Sequence, residues 1–266
     1  MENYELPLVF FTVFCQWGVG GTLALTLLRL SSDKLLSTEQ YRRLAILFCA
    51  VTLVGSLSSV AHLGAPVGAY RALAGVGSSW LSREVIAVIA LNALLVVWAG
   101  LCWFRAQSPL IHWVGGIGSL TGLLAIFITS QVYYQLLAHP LWHSAATPLG
   151  FLGTACLAGF ISVLIACRYW HKPVPLVIKT GSVIGLALIG TSLLLRYRLA
   201  GADATSLLLW WQLGASGLLA SWVLAKYSTC SPSWISAWFA LVLIVSGELA
   251  GRMLFYSNVM SGYPWF

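Results

Sequence analysis

Charge is scarce in this chain. Of its 266 residues, 14 are Lys or Arg and 7 are Asp or Glu, 8% in all. A soluble domain carries roughly a quarter, so an ordinary water-facing surface is excluded. From Ala106 to Ala166 there is no Lys, Arg, Asp or Glu. That is room for two membrane crossings and a connection, at about 20 apolar residues per crossing. Paired cysteines are also missing. Cys15, Cys49, Cys102, Cys156 and Cys167 lie in or at the edge of apolar stretches, Cys230 lies in a connection, and no CxxC occurs. They read as small hydrophobes, with no disulfide framework and no zinc or iron–sulfur ligation expected of this chain. No internal repeat, low-complexity tract or long linker is evident. The acidic start, Met1-Glu2-Asn3-Tyr4-Glu5, lacks the basic opening of a cleavable signal peptide, so the first apolar span is expected to be retained.

What is present is hydrophobic: 59% of residues, with a mean hydropathy of +0.89. In a bilayer every backbone polar group must be paired internally, which makes the spans helical. The expected fold is therefore all-α: one polytopic membrane domain, residues 1–266, with eight transmembrane helices near 6–30, 44–62, 85–104, 110–137, 149–167, 176–195, 206–225 and 234–256. The net charge of +7 sits mainly in short connections between spans, so it is read as membrane topology and not as a nucleic-acid footprint. With the N-terminus on the non-cytoplasmic side, Arg29, Lys34, Arg42, Arg43, Arg105, Arg168, Lys172, Lys179 and Lys226 fall inside. Arg71, Arg83, Arg196 and Arg198 fall outside. The bias places both termini on the non-cytoplasmic side. Small-residue spacings at Gly118/Gly122, Gly181/Gly185 and Gly247/Gly251 suit close helix packing. Trp80, Trp113, Trp142, Trp170, Trp210 and Trp234 read as interfacial anchors.

In this orientation polar groups converge at the outer boundary. The second span ends at His62, the following connection carries Arg71 and Arg83, and the third span begins at Glu84. The fourth span leads past Tyr133 and Tyr134 to His139 and His143, and the eighth carries Glu248 and Arg252 in its outer half. An acid at membrane depth is costly and is by default a functional candidate. Carboxylate, imidazole and phenol at the lipid boundary suit an amphipathic ligand that exchanges protons, such as a quinol. Each residue has a plainer reading. Glu84 follows Ser82 and Arg83 at a helix start, where acids are common. Glu248 and Arg252, four apart, can form a structural ion pair along one helix face. His139 and His143, beside Pro140, are expected to be solvated. No metal site is expected, and haem ligation is not expected, because His62, His112, His139, His143 and His171 lie at span ends or in connections and not on facing helices.

Three segments carry a resemblance. They are Pro7-Leu8-Val9-Phe10-Phe11-Thr12-Val13-Phe14 with Gln16, Gly18, Gly20 and Gly21; His62-Leu63-Gly64-Ala65-Pro66 through Arg71-Ala72-Leu73 to Ser79-Trp80-Leu81-Ser82-Arg83-Glu84; and Gly247-Glu248-Leu249-Ala250-Gly251-Arg252-Met253-Leu254-Phe255-Tyr256. Together they resemble the membrane anchor subunit of dimethyl sulfoxide (DMSO) reductase, over the whole chain. The resemblance implies an anchor in the bacterial inner membrane, working in anaerobic respiration. It would oxidise menaquinol near the outer face and pass electrons to an iron–sulfur subunit feeding a molybdenum (molybdopterin) catalytic subunit. It implies that this chain binds no haem or iron–sulfur cluster. Glu84 matches the family's quinol-site carboxylate, His62 belongs near it, and Arg71 lies in the matching loop. The expected site is thus Glu84 and His62 as proton-handling groups, with Arg71, Arg83 and Tyr133 around the quinol. The competing readings are a proton-coupled secondary transporter with Glu84 and Glu248 as coupling sites, and a structural anchor without quinol chemistry.

Overall fold

The computed structural model describes residues 5–32, 35–61, 75–200 and 206–260. Its described residues form eight helices long and apolar enough to cross a membrane. These are α1 (Leu6–Ser31), α2 (Thr38–Val60), α3 (Trp80–Phe104), α4 (Leu110–Tyr134), α5 (Ala146–Tyr169), α6 (Leu176–Ala200), α7 (Leu207–Tyr227) and α8 (Trp234–Met260). Two helices begin earlier than hydropathy alone suggests, because their first turns are polar and capped. At α2, Ser37 and Gln40 form a reciprocal capping box, and Glu39 pairs with Arg42 and Arg43 in the first turn. At α3 the Ser79 hydroxyl accepts from the Ser82 N–H. Glu84 therefore lies a full turn inside its helix and not at its head.

The helices are apolar nearly all round. The outward faces of the peripheral ones carry exposed Val54, Leu57, Ile89, Leu120, Phe127 and Ile235, as expected where the surrounding solvent is hydrocarbon. Only α1 and α5 are buried along most of their length. Helix α1 packs on α2, α4 and α5; α5 packs on α1, α6, α4 and α8. The two halves, α1–α4 and α5–α8, repeat one neighbour order: the first helix is inside, packed on the second and fourth, and the third lies against the fourth. This regularity lies in contacts and not in any visible sequence repeat.

The halves meet where α1 and α5 cross at glycine. A Cβ at Gly20 would lie 1.8 Å from the Ala155 carbonyl oxygen, and one at Gly159 would lie 2.1 Å from the Gly20 carbonyl carbon. Backbone meets backbone there, with nothing flexible between them to yield. The three glycine pairs anticipated from spacing also face neighbouring helices, Gly122 against Val19, Gly181 against Phe160 and Gly251 against Gln212 among them. One interfacial anchor is reassigned: Trp142 is buried, and its indole N–H donates to the Phe255 carbonyl at 2.9 Å. The connection after α4 folds back over the bundle, which places this tryptophan in the core and not at the lipid boundary.

Substituting Gly159→Val is expected to lower the thermal unfolding midpoint of the purified protein, with a loss of stability of at least the ~1–3 kcal/mol typical of overpacking. Gly116→Ala, with nothing within 4 Å of the added carbon, should leave it unchanged.

Candidate functional site

Glu84 is placed by the buried stripe of α3. Glu84, Ala87, Leu91, Leu95, Trp98 and Cys102 recur at helical spacing and all face the interior. The carboxylate is 6% exposed. It comes within hydrogen-bonding reach of Thr129 on α4, while its Oε1 meets no hydrogen-bond partner among the described residues. Thr129 also lines a cavity of about 20 Å³ enclosed by α1, α3 and α4, with Thr12, Cys15, Gln16 and Val88 on its walls. Farther along α3, Asn92 donates to Ser56 on α2 at 2.8 Å, and the Ser56 hydroxyl lies 3.4 Å from the Cys15 sulfur. A polar seam thus joins α1, α2 and α3 beside the carboxylate.

Polar groups from the other half reach the same end of the bundle. Tyr133, one turn beyond Thr129, has its hydroxyl 2.7 Å from that of Tyr256 on α8. Both phenols are buried, in a cluster with Trp142, Phe151 and Phe255. The Tyr256 hydroxyl also comes within hydrogen-bonding reach of Thr12 on α1. Arg252, one turn before Tyr256, is 4% exposed and lies over the Phe151 ring, 3.8 Å from its centroid. Its Nη2 donates to Gln16 Oε1 on α1 at 2.8 Å. It also lies 3.5 Å from the Thr154 hydroxyl, which donates to Glu248 Oε2 at 2.6 Å.

The expected site residues fare differently. Glu84, Tyr133, Glu248 and Arg252 converge at one end of the bundle, the end where the odd-numbered helices begin. His62 and Arg71 lie outside the described residues. Arg83 is half-buried and folds onto the preceding turn, donating to the carbonyls of Val76 at 3.0 Å and Gly77 at 2.9 Å and stacking on Trp80. Glu248 and Arg252 share one face of α8 but are bridged by Thr154 of α5 and form no direct ion pair, because the guanidinium turns toward α1. His139 is buried edge-on against Trp142, and His143 Nδ1 lies 2.5 Å from the Tyr134 carbonyl, so neither is simply solvated. Sequence reasoning gave no site role to Thr129, Gln16, Thr154, Tyr256 or Arg196, although Gln16 and Tyr256 lie in segments that carry the family resemblance and Arg196 was counted among the outer charges. For Thr129 and Thr154 the only signal is a hydroxyl within an apolar span, and most such hydroxyls simply bond to their own helix. Among the described residues, no group of three or more His, Cys, Asp or Glu is placed to hold a metal ion.

Residues 1–194 match the family described as DMSO reductase anchor subunit (DmsC). One polypeptide of the anaerobic dimethyl sulfoxide reductase of Haemophilus influenzae is 34% identical over 163 residues, which is 59% of this chain and 56% of that protein. Its namesake in Escherichia coli is 28% identical over 288 aligned positions, 97% of this chain and 96% of that protein. A subunit of the sulfite dehydrogenase of Allochromatium vinosum is 29% identical over 164 residues, 57% of this chain and 50% of that protein. The family match ends within α6, and the Escherichia coli alignment carries the similarity through α7 and α8.

Replacing Thr154 by Val removes the hydroxyl between Glu248 and Arg252. A buried charged group stripped of its hydrogen bond loses about 1–3 kcal/mol, so a lower unfolding midpoint is expected, with Thr154→Ser close to wild type. Equal midpoints for Val and wild type would show that the bridge contributes nothing.

Proposed function

Because this chain belongs to the DMSO reductase anchor subunit family, we propose that it is the multi-pass anchor of a respiratory molybdoenzyme complex and oxidises menaquinol at Glu84. The observation that carries this reading is the Glu84 carboxylate: buried within an apolar helix, with an oxygen that no group among the described residues satisfies. Such an oxygen is an acceptor awaiting a hydroxyl donor, and a quinol head presents two. The 20 Å³ cavity beside Thr129 is too small for a quinol ring. In this reading the head reaches Glu84 from the end of the bundle, beside the first turn of α3. His62 and Arg71 belong by sequence to the connection between α2 and α3.

Oxidation of one quinol releases two electrons and two protons. The quinol O–H donates to Glu84, which orients the head and accepts one proton as the electrons leave. His62 is assigned the neighbouring proton-handling role, and Arg71 the positioning of the head or of the partner. Arg83 supports the loop from outside through Val76 and Gly77. Tyr133, held by Tyr256, supports the wall of the site. The electrons pass to an iron–sulfur subunit docked at this end and on to a molybdenum catalytic subunit. The opposite end carries Arg29, Arg42, Arg43, Arg105, Arg168, Lys172 and Lys226. By the positive-inside bias that end faces the cytoplasm of a bacterial inner membrane, and the Glu84 end faces out. Protons from the quinol are then released on the outer side.

A fluorescence-quench titration of a quinol-analogue inhibitor, on membranes containing the assembled complex, tests the assignment. Wild type is expected to bind saturably and in proportion to the complex. Glu84→Gln is expected to lose about tenfold or more in affinity, the worth of one charge-assisted hydrogen bond, and to lose quinol-dependent turnover with assembly intact. Undiminished binding by that variant would place the quinol elsewhere.

A further inference from the structure

A second polar cavity lies in the α5–α8 half, apart from the one beside Glu84. Its volume is about 20 Å³, and α5, α6, α7 and α8 all contribute to its walls. Four lining residues each hold a buried polar atom that meets no hydrogen-bond partner among the described residues: Arg196 Nε, Gln212 Oε1, Glu248 Oε1 and Arg252 Nη1. Glu248, Arg252 and Gln212 are 2%, 4% and 7% exposed. An isolated buried polar atom is destabilising, and four around one small space are not a chance packing defect.

The chemistry of the four atoms identifies what would satisfy them. Two are donors, the guanidinium N–H groups of Arg196 and Arg252. Two are acceptors, the oxygens of Gln212 and Glu248. An anion would suit the arginines and be repelled by both oxygens. A metal or ammonium ion would suit the oxygens and be repelled by both guanidinium groups. One water molecule has two lone pairs and two hydrogens and matches all four. The volume agrees: it admits about one water and excludes a quinol ring.

The fold shapes this space by specific means. Helix α7 winds as a π-helix from Leu213 to Leu219, directly after Gln212, and such wide turns cluster at functional sites. Within it the Ser216 hydroxyl lies within hydrogen-bonding reach of Glu248 but donates its proton to the Ile244 carbonyl of α8 at 3.1 Å, which fixes α7 one turn from Glu248. Glycine sets the clearance on the far side: a Cβ at Gly251 would lie 2.2 Å from the Gln212 amide.

We propose that this cavity is a binding site for a single buried water, held tetrahedrally by Arg196, Gln212, Glu248 and Arg252. It accepts from the two arginines and donates to the two oxygens. It ties α6 and α7 to α8 and, through Arg252 and Gln16, to α1 of the other half. It also gives Glu248 a hydrogen-bonded contact with exchangeable solvent inside the bundle.

Electron cryo-microscopy of the assembled complex in lipid nanodiscs, at a resolution that shows ordered water, decides the matter. The expected result is one peak about 2.7–3.2 Å from all four atoms, present equally in chloride-containing and chloride-free buffer. A peak that appears only with chloride identifies an anion and overturns the proposal. So does an empty space with Glu248 and Arg252 closed on each other. Gly251→Ala, which pushes Gln212 into the space, is expected to abolish the peak; persistence of the peak with Gln212 displaced from it would also overturn the four-point site. If that variant does not assemble, the wild-type map decides alone.

Discussion

The contact of α1 with α5 at Gly20 and Gly159 is the constraint on which the rest depends. In hydrocarbon there is no hydrophobic force to hold two helices together, so association rests on close packing and on hydrogen bonds. Bare backbone lets these two approach until main chain touches main chain. Each is then covered by the helices of its own half. The repeated neighbour order of α1–α4 and α5–α8 follows, since each half surrounds an inner helix already fixed against the other. The peripheral helices are left to face lipid, where exposed Leu, Ile, Val and Phe carry no penalty.

That arrangement brings two buried carboxylates to one end and joins them by polar groups. From Glu84 the route passes Thr129 and Tyr133 on α4 and crosses to Tyr256 and Arg252 on α8. It touches Thr12 and Gln16 on α1 and reaches Glu248 through Thr154 on α5. Charges buried this deeply persist only where hydrogen bonds replace hydration. The belt supplies them for Arg252 and one oxygen of Glu248 and leaves specific atoms open: one oxygen at Glu84, and a matched set of donors and acceptors around Glu248. The open oxygen suits a proton-carrying hydroxyl ligand. The matched set suits water. One end of the bundle thus holds two candidate sites of different character, built by the same packing.

The class of the molecule was legible in the sequence because it rests on composition. Eight apolar runs, scarce charge and the need to pair every backbone group inside lipid admit few other folds. Glu84 was legible too, since an acid within an apolar run stands out and its surrounding motif resembles a known family. Helix starts at Thr38 and Trp80 were harder to see, because capped polar turns at the interface do not register as hydropathy. The ion pair expected of Glu248 and Arg252 illustrates a different limit. Spacing along α8 puts both on one face, but it says nothing of Thr154 and Gln16, which arrive from α5 and α1 and divide them.

The sequence by itself determined the number of spans, their helical character, the family and the presence of acids at membrane depth. These are properties of local composition, and lipid reads them one segment at a time. Tertiary structure alone decided that α1 and α5 lie inside, that Trp142 is buried, and that Arg196, Gln212, Glu248 and Arg252 face one small cavity. Those outcomes depend on which helices touch and at what rotation. Where a helix is apolar on nearly every face, hydropathy leaves that rotation open. Backbone contact at glycine, and the pairing of a few buried polar atoms across helices far apart in sequence, fix it.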